Sequence, residues 1–356
     1  MRVLFFNRFD WSTNMGGDTI QMLKTKEFLQ KIGVQVEIAK GYNYDLNNYD
    51  LIHVFNLMRP NEAISAIKLG RYFNKKIVFS SIFWDFTEFN KLGRENKNFF
   101  RLLQLLPLST QEKLKDLIRL KGDEIKFKNR LLNFFTHYKK ILSGVDLFLP
   151  NSKSEGEIVC DFLGQNVSYY VVYNGIDSKI FNLRNFQRKN IGIYSARLDP
   201  RKNHVNLFKA YTQSSIHLYG AKSPQHQKYY QRLTELNPGN YQFKGQVGYD
   251  YLADCYNSSN FHVMPSWLET PGLSQLEAAA CGCKIISTNR GSAKDYFGDY
   301  ASYCDPNDLS DIKNKIVNAL DTKINRNELS EYIVENFSWA VSANQTKFAY
   351  EKVLDQ

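Results

Sequence analysis

The sequence predicts an α/β fold made of two doubly wound halves. Apolar runs of a strand's length, such as residues 2–6 and 51–55, alternate with segments of helical periodicity. The same alternation starts again at about residue 189. Strands that alternate with helices form parallel sheets with helices on both faces. A chain of 356 residues is also long enough for two domains, each with its own core.

The first half should contain one parallel sheet. Its predicted strands are residues 2–6, 34–39, 51–55, 76–82, 145–151 and 169–175. Its predicted helices are residues 18–31, about 61–73 and about 152–162. Asp18 or Thr19 can cap the first helix, because both side chains accept hydrogen bonds from backbone amides, and Gly33 should end it.

Two glycines and two other residues of the first half lie in the loops that leave predicted strands. Gly16 and Gly17 follow the first strand, and Trp84 and Asp85 follow the fourth. Right-handed crossovers place the carboxyl ends of all parallel strands at one edge of the sheet. We therefore expect these four residues at the same edge.

The second half repeats the pattern. Its predicted strands are residues 190–195, 216–220, 241–247, 261–264, 284–287 and a short one near Tyr303. Its predicted helices are residues 204–211, 251–257, 273–281, 292–297, 309–320 and closing helices from about 326. We divide the chain into a first domain at 1–175, a second at 185–335, and a terminal helix at 336–356.

Residues 265–282 contain the most candidate ligand-binding features of the second half. This stretch leaves an apolar strand, turns twice at prolines and then enters a short helix that ends at Gly282. In open α/β sheets ligands bind at such strand ends. The amides of Gly272, Leu273 and Ser274 should be unpaired at the helix start, which suits a phosphate group.

Two carboxylates, Glu269 and Glu277, belong to this stretch. Carboxylates beside a phosphate cradle suit a ligand with both phosphates and hydroxyls, such as a sugar nucleotide. A structural alternative stays open for both. Ser274 and Glu277 also fit a capping box, in which Glu277 only reaches back to a backbone amide, and Glu269 also fits a solvated loop acid.

Two cations, Arg197 and Lys202, follow the first strand of the second half. Fixed cations at a helix start neutralise a diphosphate and stabilise the charge that grows on it as it leaves. Alone they would be ordinary surface charges in a turn. Together with Glu269 and Glu277 at the same predicted sheet edge, they favour a binding site.

The net charge of +10 is concentrated in one segment. Between Lys91 and Lys140 there are 13 Lys or Arg and 5 Asp or Glu, a net charge of +8, interleaved with aromatic and apolar residues. The segment, about 90–140, interrupts the α/β alternation as an inserted helical hairpin would. Basic amphipathic helices bind anionic membrane surfaces; a helical cover with a solvated basic face is the alternative. No nucleic-acid-binding motif accompanies the charge, which argues against nucleic acid as a partner.

The cysteines predict a protein of a reducing compartment, without a zinc site. The five cysteines are Cys160, Cys255, Cys281, Cys283 and Cys304, an odd number without zinc-site spacing. The first residues are apolar over only a strand's length, so we expect no signal peptide. No apolar run reaches the roughly 20 residues that span a bilayer. We expect a cytoplasmic protein, peripheral on the inner membrane face if the basic segment binds lipid.

Five segments in order carry a family resemblance: Gly16-Gly-Asp-Thr-Ile20, Asn174-Gly-Ile-Asp177, Ala196-Arg-Leu-Asp-Pro-Arg-Lys-Asn203, residues 265–282 with Glu269 and Glu277, and Phe337-Ser-Trp339. In this order and spacing the chain resembles the retaining glycosyltransferases of family four over nearly its whole length. The resemblance implies the GT-B architecture: two Rossmann-like domains that face each other across a cleft, with a C-terminal helix that crosses back to the first, acceptor-binding domain.

The resemblance also implies an activity and a set of roles. The enzyme would move a sugar from a UDP- or GDP-sugar to a glycan or lipid-linked glycan, with no cofactor and no catalytic metal. Arg197 and Lys202 would bind the donor diphosphate, Glu277 its ribose hydroxyls, and Glu269 the transferred sugar. The candidate catalytic residues are Arg197, Lys202, Glu269 and Asp85. The candidate donor-binding residues are Gly16, Gly17, Gly272, Leu273 and Glu277.

The sequence departs from the family pattern at the loop after the fourth strand. Many relatives have a histidine there that contacts the donor sugar, whereas this chain has Trp84, followed by Asp85, which would contact acceptor or donor. Two alternatives therefore stay open. One is a phosphorylase or sugar-nucleotide epimerase with the same fold, and the other is a sugar-nucleotide-binding subunit that has lost catalysis.

Overall fold

The computed structural model describes residues 1–13, 15–94, 110, 142, 144–222 and 226–356, without the side chains of Pro60 and Asn61. Contacts divide them into two units. The first holds Met1–Asp85, the described part of 102–174 and Trp339–Gln356; the second holds the described part of 86–101 and Gly175–Ser338. Most of the basic segment 90–140, with its predicted helical hairpin, lies outside the described residues.

The first unit is built on a five-stranded parallel sheet. In chain order its strands are β1 (Arg2–Phe6), β2 (Gln35–Ile38), β3 (Leu51–Phe55), β4 (Lys76–Ser80) and β5 (Leu147–Phe148). Its helices are α1 (Gly17–Lys31), α2 (Pro60–Tyr72), α3 (Lys153–Leu163) and α11 (Trp339–Leu354). The spatial order β2-β1-β3-β4-β5 is doubly wound. β3 is buried at every position, because helices cover both faces of a parallel sheet.

One local prediction for the first unit is wrong, and another holds only for Thr19. Residues 169–175 form no strand; they contribute a single bridge between Tyr169 and Phe148, because β5 offers only two residues to pair with. The N-cap residue of α1 is Gly16, and the Thr19 hydroxyl contributes to the cap by accepting a hydrogen bond of 3.5 Å from the Gly16 amide, whereas Asp18 does not cap the helix. The Asp18 carboxylate instead accepts a hydrogen bond of 2.6 Å from Arg8 Nε, so it is engaged by a cation.

A buried histidine joins α11 to the sheet of the first unit. Nδ1 of His53 lies 2.6 Å from Tyr350 Oη, and its Nε2 lies 2.9 Å from Ser80 Oγ. Burial lowers the pKa of His53 to about 3, so the ring is neutral at pH 7. His53 is therefore a packing residue of β3, and it also anchors a helix from the far end of the chain.

We expect Tyr350→Phe to lower the free energy of unfolding by about 1–3 kcal/mol, because it leaves a buried ring nitrogen of His53 without a partner. Urea unfolding would measure this as a lower midpoint. Tyr72→Phe, at a tyrosine on α2 that is 80% exposed, is the matched control and should leave the midpoint unchanged. Equal midpoints for the two variants would contradict the assigned role of the hydrogen bond.

The second unit is built on a six-stranded parallel sheet. Its strands are β6 (Lys189–Ser195), β7 (Ile216–Tyr219), β8 (Tyr241–Gly245), β9 (Ser259–Met264), β10 (Lys284–Thr288) and β11 (Ala301–Cys304). Its helices are α4 (His204–Ala210), α5 (Gln227–Leu236), α6 (Tyr249–Ser258), α7 (Leu273–Ala280), α8 (Ala293–Phe297), α9 (Leu309–Asp321) and α10 (Arg326–Asn336). The strand order β11-β10-β9-β6-β7-β8 reverses direction between β6 and β9. The α/β prediction of two doubly wound sheets is confirmed.

Candidate functional site

The switch point of the second sheet lies between β6 and β9, which are hydrogen-bonded neighbours. At such a point the loops after two adjacent strands leave in opposite directions and open a crevice beyond their carboxyl ends. Arg197 and Lys202 follow β6, and Glu269 follows β9. The sheet topology thus brings three of the predicted site residues to the same crevice.

The turn after β6 is fixed by its own side chains. The Asp199 carboxylate accepts from the Arg201 amide at 2.9 Å and pairs with the Arg201 guanidinium at 3.2 Å. Burial opposes ionisation of Asp199, but the Arg201 charge outweighs it and holds the pKa of Asp199 well below its usual range. Asn203, in the left-handed region at φ +58°, donates to the Pro265 carbonyl at 2.9 Å and so ties this turn to the loop after β9.

Lys202 and Glu269 form an ion pair in the crevice. Lys202 Nζ lies 2.6 Å from Glu269 Oε1 and 3.8 Å from the sulfur of Met264, the last residue of β9. Glu269 is only 5% exposed, and a buried carboxylate requires a cation or several hydrogen bonds. The alternative of a solvated loop acid is therefore wrong for Glu269.

The backbone of Glu269 is held by the loop after β10. Its amide donates to the Arg290 carbonyl at 3.3 Å, and its carbonyl accepts from the Ser292 amide at 2.9 Å. Between them Gly291 has φ +92°, and a Cβ at this position would lie 1.9 Å from the Glu269 carbonyl oxygen. Only glycine fits this approach. Sequence reasoning missed Gly291, since one glycine in a loop carries no distinctive signal.

Arg290 anchors this loop through two carboxylates. Its Nε lies 2.8 Å from Glu88, and its Nη2 lies 3.1 Å from Glu88 and 2.9 Å from Asp305. The hydrogen bonds to Glu88 are the main reason why the pKa of Arg290 rises above its ordinary value. Two neighbours of Glu88 also reach the loops of the crevice: the ring of Phe86 lies 5.8 Å from the Arg201 guanidinium carbon, and Gly93 lies against Trp267.

The start of α7 presents backbone donors. Gly272, at φ +64°, is the N-cap residue, and no side chain caps the helix. The capping-box alternative for Ser274 and Glu277 is therefore wrong. Within the described part of the chain, no backbone carbonyl accepts a hydrogen bond from the amides of Leu273 or Ser274. Such amides, at the positive end of a helix dipole, suit an anion.

Glu277 lies one turn further into α7. It is partly buried, and its Oε2 has a long contact of 3.5 Å with the Tyr256 hydroxyl. Burial raises the pKa of Glu277 to about 8, with a small opposing effect from Tyr256. A carboxyl group with few protein partners at this position is available to polar groups of a ligand.

We expect Glu277→Gln to stabilise the protein more at pH 8 than at pH 5. In the unfolded chain Glu277 ionises near pH 4.5, whereas in the folded protein it stays protonated until about pH 8. The folded state therefore binds more protons between these values, and stability falls as pH rises through this window. The melting temperature of Glu277→Gln should exceed that of the wild type by about 2 °C or more at pH 8.

A suitable control for this pH series is Glu331→Gln, at an exposed position on α10. It should show a constant difference from the wild type. If Glu277→Gln also followed the wild type in parallel from pH 5 to pH 8, the raised pKa would be disproved.

Arg197 lies two residues beyond β6 and is exposed. The backbone on either side of it continues toward β7, since Ala196 N donates to Tyr219 O at 2.9 Å and Leu198 N donates to Ala221 O at 3.1 Å. The Arg197 backbone is thus held in extended geometry at the rim of the crevice, and its long side chain is accessible to a charged ligand.

The other predicted site residues belong to the first unit. Gly16 caps α1, and Gly17 is its first residue with open space where a Cβ would project. Asp85 is exposed, whereas Trp84 is only 8% exposed. These residues lie beyond the ends of β1 and β4, as expected, and their roles stay predictions.

The described residues contain no group of three or more His, Cys, Asp or Glu side chains that could hold a metal ion. A search of the same residues for a helix long and apolar enough to cross a membrane also finds none.

Comparison with known proteins shows what the second unit is similar to. Residues 176–336 match the family described as glycosyl transferases group 1. Similar proteins include O-antigen chain mannosyltransferase B of Escherichia coli, 27% identical over 45% of this chain and 45% of its own length. The gpi3 subunit of phosphatidylinositol N-acetylglucosaminyltransferase of Schizosaccharomyces pombe is 28% identical over 32% of this chain and 25% of its own. The chain thus spans about half or less of these two curated relatives.

Solved structures resemble the chain over its whole length. Sucrose-phosphate synthase from Thermosynechococcus elongatus has a TM-score of 0.71 at 18% identity and covers 99% of both chains. Anabaena HepE in complex with UDP and glucose has a TM-score of 0.66 at 14% identity, over 99% of this chain and 100% of its own. The chain therefore has the GT-B fold of two Rossmann-like domains, and its residues 176–336 are similar to the glycosyl transferases group 1.

Proposed function

We propose that this protein is a retaining glycosyltransferase that moves a sugar from a nucleotide-sugar donor to an acceptor hydroxyl without a metal ion. The observation that carries the proposal is the Lys202–Glu269 ion pair of 2.6 Å. It lies at the switch point of a domain that matches the glycosyl transferases group 1. In such a pair the cation suits the diphosphate of a nucleotide sugar, and the carboxylate suits the hydroxyls of its sugar.

In the proposed complex Lys202 and Arg197 bind the donor diphosphate. An ammonium group has three hydrogens, so Lys202 can keep its bond to Glu269 and still donate to a phosphate oxygen. The amides at Gly272 and Leu273 add donors from the start of α7. Glu269 keeps Lys202 in position and offers its second carboxylate oxygen to a hydroxyl of the transferred sugar.

Glu277 binds the ribose of the donor in this proposal. Two vicinal hydroxyls are good donors to a carboxylate, and their hydrogen bonds favour its ionised form. Nucleotide binding should therefore lower the pKa of Glu277 from about 8. Because the nucleotide then releases a proton from the protein at neutral pH, its affinity should rise as pH increases from 6 to 8.

The proposed reaction is a substitution at the anomeric carbon with retention. The bond from this carbon to the diphosphate oxygen breaks, and a bond to the acceptor oxygen forms on the same face. The acceptor proton goes to the departing phosphate oxygen. Lys202 and Arg197 stabilise the negative charge that grows on the diphosphate, the principal catalytic contribution expected from preorganised cations.

The donor is best identified by a thermal-shift panel of UDP- and GDP-sugars with the free nucleotides. A ligand at a hundred times its dissociation constant stabilises the folded protein by about 2.7 kcal/mol. The structure of HepE with UDP and glucose supports UDP-glucose as the first donor to test. If no nucleotide or nucleotide sugar in the panel raised the melting temperature, the proposal would fail.

Retention of the anomeric configuration and independence of metal ions can each be tested directly. NMR of the product should show the anomeric configuration of the donor, and EDTA should leave the rate unchanged. Transfer must require a separate acceptor and release nucleoside diphosphate, which distinguishes a transferase from an epimerase, a phosphorylase or a binding subunit. An inverted product or loss of activity in EDTA would each contradict one part of the mechanism.

We further propose that the acceptor is a glycan of polysaccharide biosynthesis, supported by the similarity to an O-antigen chain mannosyltransferase. The net charge of +8 in residues 91–140 supports a lipid-linked acceptor at an anionic membrane. Flotation with anionic liposomes at low salt tests the second part, and neutral liposomes are the control. A protein that stays in the bottom fraction with both would contradict membrane binding.

A further inference from the structure

The first unit contains a cavity of about 420 Å³ at the carboxyl ends of β1 and β2. Its lining comes from two short stretches, Phe6, Asn7, Arg8, Phe9, Trp11 and Ser12 after β1, and Ala39, Lys40, Gly41 and Tyr42 after β2. Its volume lies within the range of about 300–1,000 Å³ that holds small ligands. None of the residues predicted as catalytic or donor-binding lines it.

One wall of the cavity is aromatic. The ring of Tyr42 is stacked on that of Phe6, with centroids 6.0 Å apart and planes inclined by 7°. Phe6 is buried, whereas Tyr42 and Trp11 are partly exposed. Buried Phe6 thus supports Tyr42 from behind, and two large rings reach the cavity in fixed positions.

One residue of the cavity lining, Asn7, has an unused hydrogen-bond donor. The Asn7 side chain is 8% exposed, and its Oδ1 accepts from the Arg8 amide at 2.7 Å. Its Nδ2 is buried and has no partner among the residues that the structure describes. A buried donor without an acceptor carries a desolvation cost, so an oxygen at this place would be favoured.

The charges around the cavity exclude strong affinity for an anion. The Arg8 guanidinium is already paired with Asp18 at 2.6 Å and with Asp10 at 2.8 Å. The charge of Arg8, the buried cation in the cavity lining, is therefore neutralised by two carboxylates. Lys40 is exposed at the rim, where water and salt screen its charge.

We propose that this cavity binds a sugar residue of the acceptor. A pyranose ring has an apolar face of C–H groups, which stacks on electron-rich aromatic faces such as those of Tyr42 and Trp11. Its hydroxyls supply the oxygen that Asn7 Nδ2 requires. A lipid chain would leave this amide unsatisfied, and a phosphate would meet a guanidinium that two carboxylates already occupy. The inference rests on the proposed glycosyl transfer for the origin of the sugar.

The test uses saturation-transfer NMR to measure the binding of a panel of methyl glycosides of hexoses and N-acetylhexosamines. At least one should bind the wild type, and Tyr42→Ala and Trp11→Ala should each weaken it about threefold to tenfold. Asn7→Leu, which keeps the size of the side chain but removes its amide, should weaken it further. Tyr72→Ala, at an exposed tyrosine of the same unit, is the control and should bind like the wild type.

The same variants separate this inference from the proposed function. Their melting temperatures should rise with the nucleotide that stabilises the wild type, which shows that they are folded and keep the donor site. The inference is overturned if no glycoside binds the wild type, or if binding survives in both Tyr42→Ala and Trp11→Ala. Glycoside binding that depends on Tyr42, in a protein that binds no nucleotide, would support the cavity and contradict the transferase.

Discussion

Replacing Lys202 with alanine should lower the turnover number of sugar transfer by about a hundredfold or more. Its ammonium group is the cation that Glu269 holds in the crevice at 2.6 Å, and the departing diphosphate needs positive charge most in the transition state. Initial rates at saturating donor measure the effect as a change in kcat. Arg197→Ala should act in the same direction.

Two further variants separate catalysis from stability. Lys202→Ala leaves Glu269, which is 5% exposed, without its cation, so part of the loss could come from a disturbed loop. The double variant Lys202→Met/Glu269→Gln removes both charges and should recover stability without recovering turnover. Lys209→Ala removes an exposed cation from α4 and should keep wild-type rates. Wild-type turnover in Lys202→Ala would show that the diphosphate is bound elsewhere.

Gly291→Ala should reduce turnover by about tenfold to a hundredfold, although residue 291 itself contributes no side chain to chemistry. The added Cβ would lie 1.9 Å from the carbonyl oxygen of Glu269, so the backbone of Glu269 must move. A displacement of about 1 Å at a positioned group can cost a hundredfold in rate. The change should appear in kcat, and the melting temperature should also fall.

Gly239→Ala is the matched control for this variant. Gly239 has φ +97°, close to the φ of +92° at Gly291, but no atom lies within 4 Å of the added Cβ. Both variants therefore carry the same backbone strain, and only one of them meets Glu269. If both lost activity equally, backbone strain and not the position of Glu269 would explain the effect.

Local signals predicted most of the fold. β1 and β3 are mainly apolar runs of a strand's length, and such runs are typical of strands that are buried on both faces. Residues 169–175 show where this reasoning fails. They are as rich in aromatic and branched residues as a strand, but the neighbouring strand β5 is only two residues long, and the sequence does not show how short that neighbour is.

The sequence predicts the positions of the candidate site residues along the chain, but it does not predict which side chains pair with each other. Lys202 and Glu269 could be placed at strand ends, because parallel topology fixes where strands finish. Their direct pairing depends on the turn held by Asn203. The contact of Arg290 with Glu88 joins residues that are 202 positions apart, and no periodicity or motif records such a pairing.

The first unit is built from both the beginning of the chain and its last helix, and this has a consequence for folding during protein synthesis. The first unit includes Trp339–Gln356, which leave the ribosome only after Gly175–Ser338. Until then, His53 has no Tyr350 to bond with, and α1 lacks the helix that packs on it. Domains generally fold in order as they emerge, but here the unit that is begun first is completed last. A released chain truncated after Ser338 should therefore carry a second unit that is protected from proteases and a first unit that is not.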